Sequence, residues 1–255
     1  MEIAFNQIIG AALAIGVRVS GIVLFAPFFG SAAIPARLKA LLIVVITLLL
    51  YPVYSSHIQA EQLAHWPLLI GQELMLGVAM GIATNLVFDA VQMAGQVLSI
   101  QVGYSLVNIL DPQSQVESTV IALFHQTLAM LIFLRLNVHH WILRAVSSSF
   151  DLLPFGTVNL NANFTTAVFQ VGSSVFVVGL QIAAPVLCAT LIADIVIGFL
   201  GKASPQMPLL LLGPAVKSML GLLVLVSALS YWPNMFDHLF ANSIGYTEKI
   251  LKLAH

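Results

Sequence analysis

Long apolar runs separated by short polar segments dominate the chain, and these runs predict its helices. In the first half the runs are Ala4 to Pro27, Ala40 to Tyr54 and Leu68 to Val102. The first has the length of a membrane-spanning helix, about 20 residues. In the second half they are Thr119 to Leu136, Phe169 to Leu200 and Leu209 to Tyr231. The pattern predicts an all-α protein with about six long apolar helices.

Polar segments between these runs predict loops and interfacial structure. The stretch that follows Leu136 carries both basic and acidic side chains, which is typical of a segment at a membrane surface. Asn161 to Thr166 predicts a polar connector, and the tail from Asn234 predicts a short amphipathic interfacial helix.

The run from Leu68 to Val102 is unusually long for a membrane helix. It contains no proline, and as one helix it would extend about 52 Å, against a hydrocarbon thickness of about 30 Å. It also carries Glu73 and Asp89, so it needs polar partners. Gly77 and Gly81 form a GxxxG pair that would let another helix approach closely.

The longest polar interruption is Gly103 to Ser118. Asp111-Pro112 stops a helix there, because proline lacks a backbone donor and disfavours the helical conformation of the residue before it. Freed backbone groups have no partners among lipid tails. The segment is therefore either a surface connector or a loop held inside a protein-lined cavity.

Besides Glu73 and Asp89, three further charged residues lie inside apolar runs in positions that call for partners. An arginine in mid-helix costs about 2.5 to 3.5 kcal/mol on insertion scales, so Arg18 either forms an interhelical or intersubunit ion pair or snorkels to an interface. Asp194 and Lys217 lie about 17 Å before and after the turn at Pro205 and Gln206 if that hairpin is symmetric. We expect them to pair with each other or with a neighbouring subunit, the alternative being two unrelated groups near an interface.

Composition agrees with a membrane location. Hydrophobic residues make up 60% of the 255 residues and charged residues 7%, with mean hydropathy +1.01, whereas soluble proteins have about 25% charged residues. A net charge of -1 gives no nucleic-acid surface, and a single cysteine, Cys188, excludes an internal disulfide. The start of the chain has an acidic residue in place of a basic signal region, so we expect the first apolar segment to be retained.

Positive charge does not fix the orientation of the helices. With six helices one side receives Arg37, Lys39 and Lys202, while the other receives Arg135 or Arg144 with the C-terminal lysines. Together with the two overlong apolar runs, Leu68 to Val102 and Phe169 to Leu200, this tie indicates a structure set by assembly with other subunits.

Sequence motifs give no enzyme, cofactor or metal prediction. Walker-type loops, GxSxG elbows, HExxH helices and nucleotide-binding glycine fingerprints do not occur. His57 and His65 have one acid between them, and the adjacent His139 and His140 point in different directions on a helix. Carboxylates in apolar runs also suit an ion-coupled transporter, although no clear repeat of paired broken helices supports one.

Four segments, taken in order, resemble one family. They are RVSGIVLFAPFFGSAAIPARLKALL, GYSLVNILDPQSQVES, IFLRLNVHHWILRAVSSSFDLLPFG and FLGKASPQMPLLLLGPAVKSMLG. As an ordered set covering almost the whole chain they resemble the flagellar biosynthetic FliR family, the R subunit of the type III export gate. The turn here reads Pro205-Gln206-Met207-Pro208, where family members usually carry a PQLN-like turn after a basic pair.

The resemblance implies an assembly and a domain organisation. One R subunit would join several FliP-like P subunits and FliQ-like Q subunits in a helical ring around an export conduit, in the bacterial inner membrane within the flagellar basal body. The assembly would rise largely out of the bilayer plane. Residues 1–165 would be P-subunit-like, residues 166–231 a Q-subunit-like hairpin and residues 232–255 a tail.

Site residues follow from the same resemblance. A luminal plug would occupy residues 103–118, with gating residues Gly103, Tyr104, Leu106, Asn108, Asp111, Pro112, Gln113 and Gln115. A cytoplasmic entrance turn at Lys202, Pro205 and Gln206 would face the FlhB-like B and FlhA-like A subunits. The intramembrane charges predicted to serve assembly are Arg18, Glu73, Asp89, Asp194 and Lys217.

The resemblance also implies the transported cargo. Substrates would be unfolded rod, hook and filament proteins, moved by proton motive force and an ATPase that other subunits supply. Two alternatives stay open on the sequence: the equivalent subunit of a virulence-type injectisome, and an independent ion-coupled secondary transporter.

Overall fold

The computed structural model describes residues 2–31, 33–55, 66–103, 120–204 and 209–254. Within these ranges the chain forms eight α-helices and no strand, which confirms the predicted all-α class. The helices are α1 (Glu2–Phe25), α2 (Ala36–Tyr54), α3 (Trp66–Val102), α4 (Val120–Arg135), α5 (Val138–Leu152), α6 (Ala162–Ala203), α7 (Leu209–Ala228) and α8 (Trp232–Leu253).

Four of these helices are long and apolar enough to cross a membrane: α1, α2, α3 and α6. Two bent pairs, α4 with α5 and α7 with α8, raise the number to six if each pair is one span. The bends are 66° and 69°. Among the described residues, length and composition therefore agree with the six apolar segments that the sequence predicts.

Two helices exceed the thickness of a bilayer. The predicted long helix is continuous, since α3 has 37 residues and extends about 55 Å. Helix α6 has 42 residues, about 63 Å, and continues through Pro185. Lengths of this size require steep tilt or extension beyond the hydrocarbon slab.

The start of α6 corrects one prediction. Asn161 to Thr166 is not a connector, because the helix begins at Ala162. Asn161 Oδ1 accepts a hydrogen bond of 2.8 Å from the backbone N–H of Phe164, which satisfies a donor that the first turn leaves free. The hydroxyls of Thr165 and Thr166 donate to backbone carbonyls one turn earlier, so these polar side chains need no loop.

The two helices after the bends are amphipathic. Helix α5 buries Val138, Ile142, Val146 and Phe150, spaced one turn apart. Helix α8 buries residues at spacings of three and four, namely Trp232, Phe236, Phe240, Ser243, Thr247, Ile250 and Leu251. This periodicity agrees with the predicted interfacial character of both segments.

The helices form two compact units. The first comprises residues 1–86, 134–173 and 240–255, with a core that includes Ile15, Ile22, Leu76, Met80, Phe150, Leu153, Phe155 and Phe240. The second comprises residues 87–133 and 174–239, with a core that includes Val87, Val91, Leu98, Phe133, Ala183, Val186 and Phe236. Helices α3 and α6 contribute to both units.

Much of the apolar surface remains exposed. Helix α2 leaves Leu48 and Leu49 about two-thirds exposed, and α6 leaves Phe169 and Phe199 exposed as well. Soluble monomers rarely present continuous apolar faces of this kind. These faces therefore suit lipid or other protein subunits.

Candidate functional site

Arg18 and Glu73 form a fully buried ion pair between α1 and α3. Neither side chain is exposed, and Arg18 Nε donates to Glu73 Oε2. Arg18 Nη1 donates to the backbone oxygens of Ser149 (2.9 Å) and Leu153 (3.0 Å), and Nη2 also donates to Leu153 O at 3.0 Å. The pair therefore connects α1, α3 and the end of α5 through one guanidinium.

Aromatic rings and a glycine complete the surroundings of this pair. The Arg18 guanidinium carbon lies 4.3 Å from the Phe150 ring centroid and 5.5 Å from that of Phe155, distances at which a cation is attracted to a ring face. The backbone N–H of Gly156, a residue with φ of +74°, approaches the Glu73 carboxylate. The buried pair therefore has a structural role, since it holds α1, α3 and the end of α5 together.

Glycines allow α1 and α3 to come this close. A Cβ atom on Gly21 would lie 2.8 Å from the backbone nitrogen of Val78, and a Cβ on Gly77 would collide with the backbone carbonyl of Arg18. A Cβ on Gly81 would lie 2.6 Å from Phe25 Cβ. The predicted role of the GxxxG pair in a close helix approach is thus confirmed, and it places Glu73 within reach of Arg18.

Arg18 does not extend to a membrane interface, which was the other alternative that the sequence allowed. Sequence reasoning left the two alternatives open because it identified Arg18 and Glu73 separately. The two residues are 55 positions apart. Their shared signal was an ionisable group inside each of two apolar runs, and in an apolar environment such groups pair.

A second polar contact in the same unit was missed by sequence reasoning. Tyr54 at the end of α2 donates from its hydroxyl to Asp151 Oδ1 at 2.9 Å, and its ring lies 5.1 Å from the Phe150 ring. Tyr54 is the buried residue of α2. A buried tyrosine hydroxyl normally needs a hydrogen-bond partner. The tyrosine at the end of an apolar run was therefore the only sequence signal for this contact.

Asp194 and Lys217 pair with each other, as one of the sequence alternatives predicted. Lys217 Nζ donates to Asp194 Oδ2 at 2.8 Å across the α6–α7 hairpin. The lysine side chain is 21% exposed and the aspartate 45% exposed. Exposed apolar side chains flank the pair, including Ile192, Ile195, Val216 and Met219. It is an ion pair on an otherwise apolar face.

Asp89 and the predicted entrance turn complete the list of predicted charges. Asp89 is half-buried on α3 and has an interaction partner. Lys202 is exposed in the last turn of α6. Pro205 and Gln206 lie outside the described residues.

The predicted plug begins where α3 ends. Val102 is the last residue of α3, and Gly103 has φ of +92°, a conformation that favours glycine. Its N–H bonds the oxygen of Ile100 at 3.2 Å. The remaining predicted plug residues, Tyr104, Leu106, Asn108, Asp111, Pro112, Gln113 and Gln115, lie outside the described residues.

No metal centre forms among the residues that the structure describes. No group of three or more histidine, cysteine, aspartate or glutamate side chains converges there. The rings of His139 and His140 meet edge to face, with centroids 4.2 Å apart. His57 and His65 fall outside the described ranges.

Comparison with known proteins identifies the family. The family described as "Bacterial export proteins, family 1" matches residues 9–243, almost the whole chain. This chain belongs to bacterial export protein family 1. The matched region includes both ion pairs and the segment that follows Gly103.

Individual proteins are similar to this chain over most of their length. The flagellar biosynthetic protein FliR of Escherichia coli strain K12 is 27% identical over 235 residues, 92% of this chain and 90% of that protein. The protein of the same name from Bacillus subtilis strain 168 is 24% identical over 246 residues, 95% of each chain. The one from Caulobacter vibrioides is 27% identical over 216 residues.

Proposed function

We propose that this export protein is the R-type subunit of the flagellar type III export gate. The observation that carries the proposal is full-length similarity to several proteins named flagellar biosynthetic protein FliR, within a family of bacterial export proteins. The subunit would join FliP-like and FliQ-like subunits around a conduit in the bacterial inner membrane. Residues 1–165 would pack like a P subunit and residues 166–231 like a Q subunit.

The distribution of polar groups supports a role in assembly. Glu73 is neutralised by Arg18, and Asp194 is neutralised by Lys217. A transporter that carries ions needs carboxylates that are open to its substrate. Carboxylates held in ion pairs, beside large exposed apolar faces, fit a subunit that is covered by lipid and partner subunits.

Gating is the mechanism that we propose for this subunit. A plug at residues 103–118 would close the conduit against ions through packing and hydrogen bonds, and it would shift when an unfolded rod, hook or filament protein is threaded. The end of α3 at a left-handed Gly103 supports this, since α3 ends before the proposed plug and a shift of the plug would not require α3 to unfold. The turn around Lys202 would face the FlhB-like and FlhA-like subunits.

Co-expression tests the assembly. We expect this chain, produced with its neighbouring P- and Q-type subunits and extracted in mild detergent, to appear in native mass spectra as one copy within a large hetero-oligomer. A monomer or homodimer that ignores both partners would overturn the proposal and favour the transporter.

A deletion tests the plug. We expect removal of residues 106–115 to make cells that express the gate leaky to small solutes, because the lumen loses the segment that closes it. Assembly measured in the same cells should be unchanged. Unaltered permeability with an intact complex would contradict the plug assignment.

The flagellar reading is preferred to the injectisome reading. The relatives described above carry flagellar names. Restoration of swimming in a flagellated strain that lacks its own R-type subunit would distinguish the two. Restored secretion of injectisome substrates without restored motility would favour the injectisome hypothesis.

A further inference from the structure

A cavity of about 500 Å³ lies between the amphipathic helices α5 and α8. Thr84 of α3 contributes to its wall. All of its lining residues belong to the first compact unit. The volume falls within the range of about 300 to 1,000 Å³ that is typical of small-molecule sites.

The buried wall of the cavity is apolar in effect. Its polar members are Thr84, Ser243 and Thr247, which are at most 8% exposed. Each hydroxyl donates to a backbone oxygen of its own helix, at 2.8, 2.8 and 3.1 Å respectively. The hydroxyl protons of these three residues are therefore already used within their own helices. A cavity lined by carbon suits a hydrocarbon chain and excludes a polar metabolite.

The mouth of the cavity carries charge of both signs. Arg144 and Asp151 lie two turns apart on α5, and Glu248 and Lys252 lie one turn apart on α8. All four side chains are exposed. Within the described part of the chain, Arg144, Glu248 and Lys252 take part in no ion pair, and Asp151 accepts a hydrogen bond from Tyr54. The mouth therefore offers two cations and two carboxylates to a ligand.

We propose that this cavity binds one acyl chain of a zwitterionic phospholipid of the phosphatidylethanolamine type. Arg144 and Lys252 would bind the phosphate, and Asp151 and Glu248 would bind the ammonium group. An anionic headgroup without an amine would place its charge beside two carboxylates that have no cation to bind. Charge complementarity at the mouth thus selects a headgroup that carries both signs.

The surrounding elements suit a lipid. Trp141 at the mouth is about half exposed, and the Arg144 guanidinium carbon lies 5.8 Å from its ring centroid. Tryptophan is enriched at the level of lipid headgroups, and amphipathic helices with basic residues lie in that plane. The proposal does not depend on the flagellar role, because it concerns a cavity within one unit of this chain.

Lipid analysis of the purified complex tests the proposal. The full chain, extracted with its partner subunits, would be placed in nanodiscs of equal parts phosphatidylethanolamine and phosphatidylglycerol, and retained lipids measured by native mass spectrometry. We expect the paired variant Arg144→Gln with Lys252→Gln to retain about tenfold less phosphatidylethanolamine. Lys249→Gln is the matched control, since Lys249 is on α8 and donates to Gln170 instead of lining the cavity.

A second variant keeps the test decisive if the first fails to fold. Glu248→Gln removes one negative charge that would bind the ammonium group, so we expect retained lipid to shift from phosphatidylethanolamine towards phosphatidylglycerol. Equal retention of both lipids by the unaltered protein would overturn the proposal.

A crosslinking experiment addresses the other occupant. A photoreactive residue in place of Ser148, at the mouth, should capture lipid. Capture of a partner subunit's peptide at that position would show the cavity to be a protein contact and would overturn the lipid assignment. The same native spectra report the subunit composition, so failure of the lipid proposal and failure of the gate proposal are separate outcomes.

Discussion

Burying the guanidinium of Arg18 costs several kcal/mol in desolvation, which its partners must offset. The structure supplies a carboxylate, two backbone carbonyls and two aromatic rings around one side chain that has no exposure. Removal of Glu73 alone leaves a buried charge, whereas removal of both members of the pair removes the charge and leaves the two backbone carbonyls without the Arg18 donor. The two kinds of change therefore have different expected costs.

Glu73→Ala tests this difference. We expect it to destabilise the protein by about 3 to 5 kcal/mol, because Arg18 stays charged and buried. The double variant Arg18→Met with Glu73→Leu should recover part of that loss. Thermal unfolding of the detergent-extracted protein measures both. A double variant that is no more stable than Glu73→Ala would show that packing, not charge, governs the site.

Gly77→Ala should destabilise the protein, because the added methyl group would strike the Arg18 carbonyl and force α1 and α3 apart. Gly71→Ala is the control on the same helix. A Cβ there meets nothing within 4 Å, so we expect a gain of up to about 1 kcal/mol from helix propensity. Similar unfolding temperatures for the two variants would contradict the close helix approach.

The sequence identified the individual residues of these contacts, but it did not show which residues contact each other. An arginine and a glutamate in apolar runs are visible as anomalies, and GxxxG is visible as a spacing. Their pairing depends on which helices pack together, which local pattern does not encode. Tyr54 and Asp151 are 97 positions apart, and neither residue stands out in its own segment.

Among the helices, the clearest departure from expectation is the start of α6. A run of asparagine and threonine favours a loop on composition, yet Asn161 caps the helix and the threonines bond to the preceding turn. The extent of α3, in contrast, followed from the absence of proline after Pro67. Helix length was therefore predictable where a breaker was absent, and it was misread where polar residues served as a cap.

Asn161→Ala should lower the stability of α6 by about 1 kcal/mol, the usual effect of losing an N-cap acceptor. Asn161→Asp keeps an acceptor oxygen and should retain stability. Amide hydrogen exchange at Phe164 reports the effect locally, with faster exchange expected only in the alanine variant. Equal exchange in both variants would mean that the cap hydrogen bond does not hold the first turn.

At the scale of the whole molecule, the Asp194–Lys217 ion pair matters because exposed apolar side chains surround it. Lys217 left unpaired among apolar side chains would cost up to about 3 kcal/mol. The pairing was predictable because a symmetric hairpin brings together residues that lie equally far before and after its turn. What covers the surrounding face was not, since exposed leucine fits both lipid and protein.

Asp194→Leu should reduce the amount of assembled complex, because the lysine loses its counter-ion. The exchange of Asp194→Lys with Lys217→Asp keeps the pair and should restore most of that amount. Native gel analysis after co-expression with the P- and Q-type subunits measures it. If the exchanged protein assembles no better than Asp194→Leu, a partner subunit requires a negative charge at position 194 and a positive charge at position 217.

The carbonyls that accept from Arg18 are those of Ser149 and Leu153, at the C-terminal end of α5. The Ser149 carbonyl also accepts a hydrogen bond of 3.0 Å from the Leu153 N–H, whereas the Leu153 carbonyl lies just past the last helical residue. Arg18 therefore adds to the C-cap of α5 from a helix that precedes it by more than a hundred residues. During synthesis α1 and α3 emerge before α5, so the hydrogen bonds from Arg18 to the end of α5 can form only after α5 has also been made. The contact between Arg18 and α5 is therefore one that the growing chain makes late, after both helices that hold the ion pair are in place.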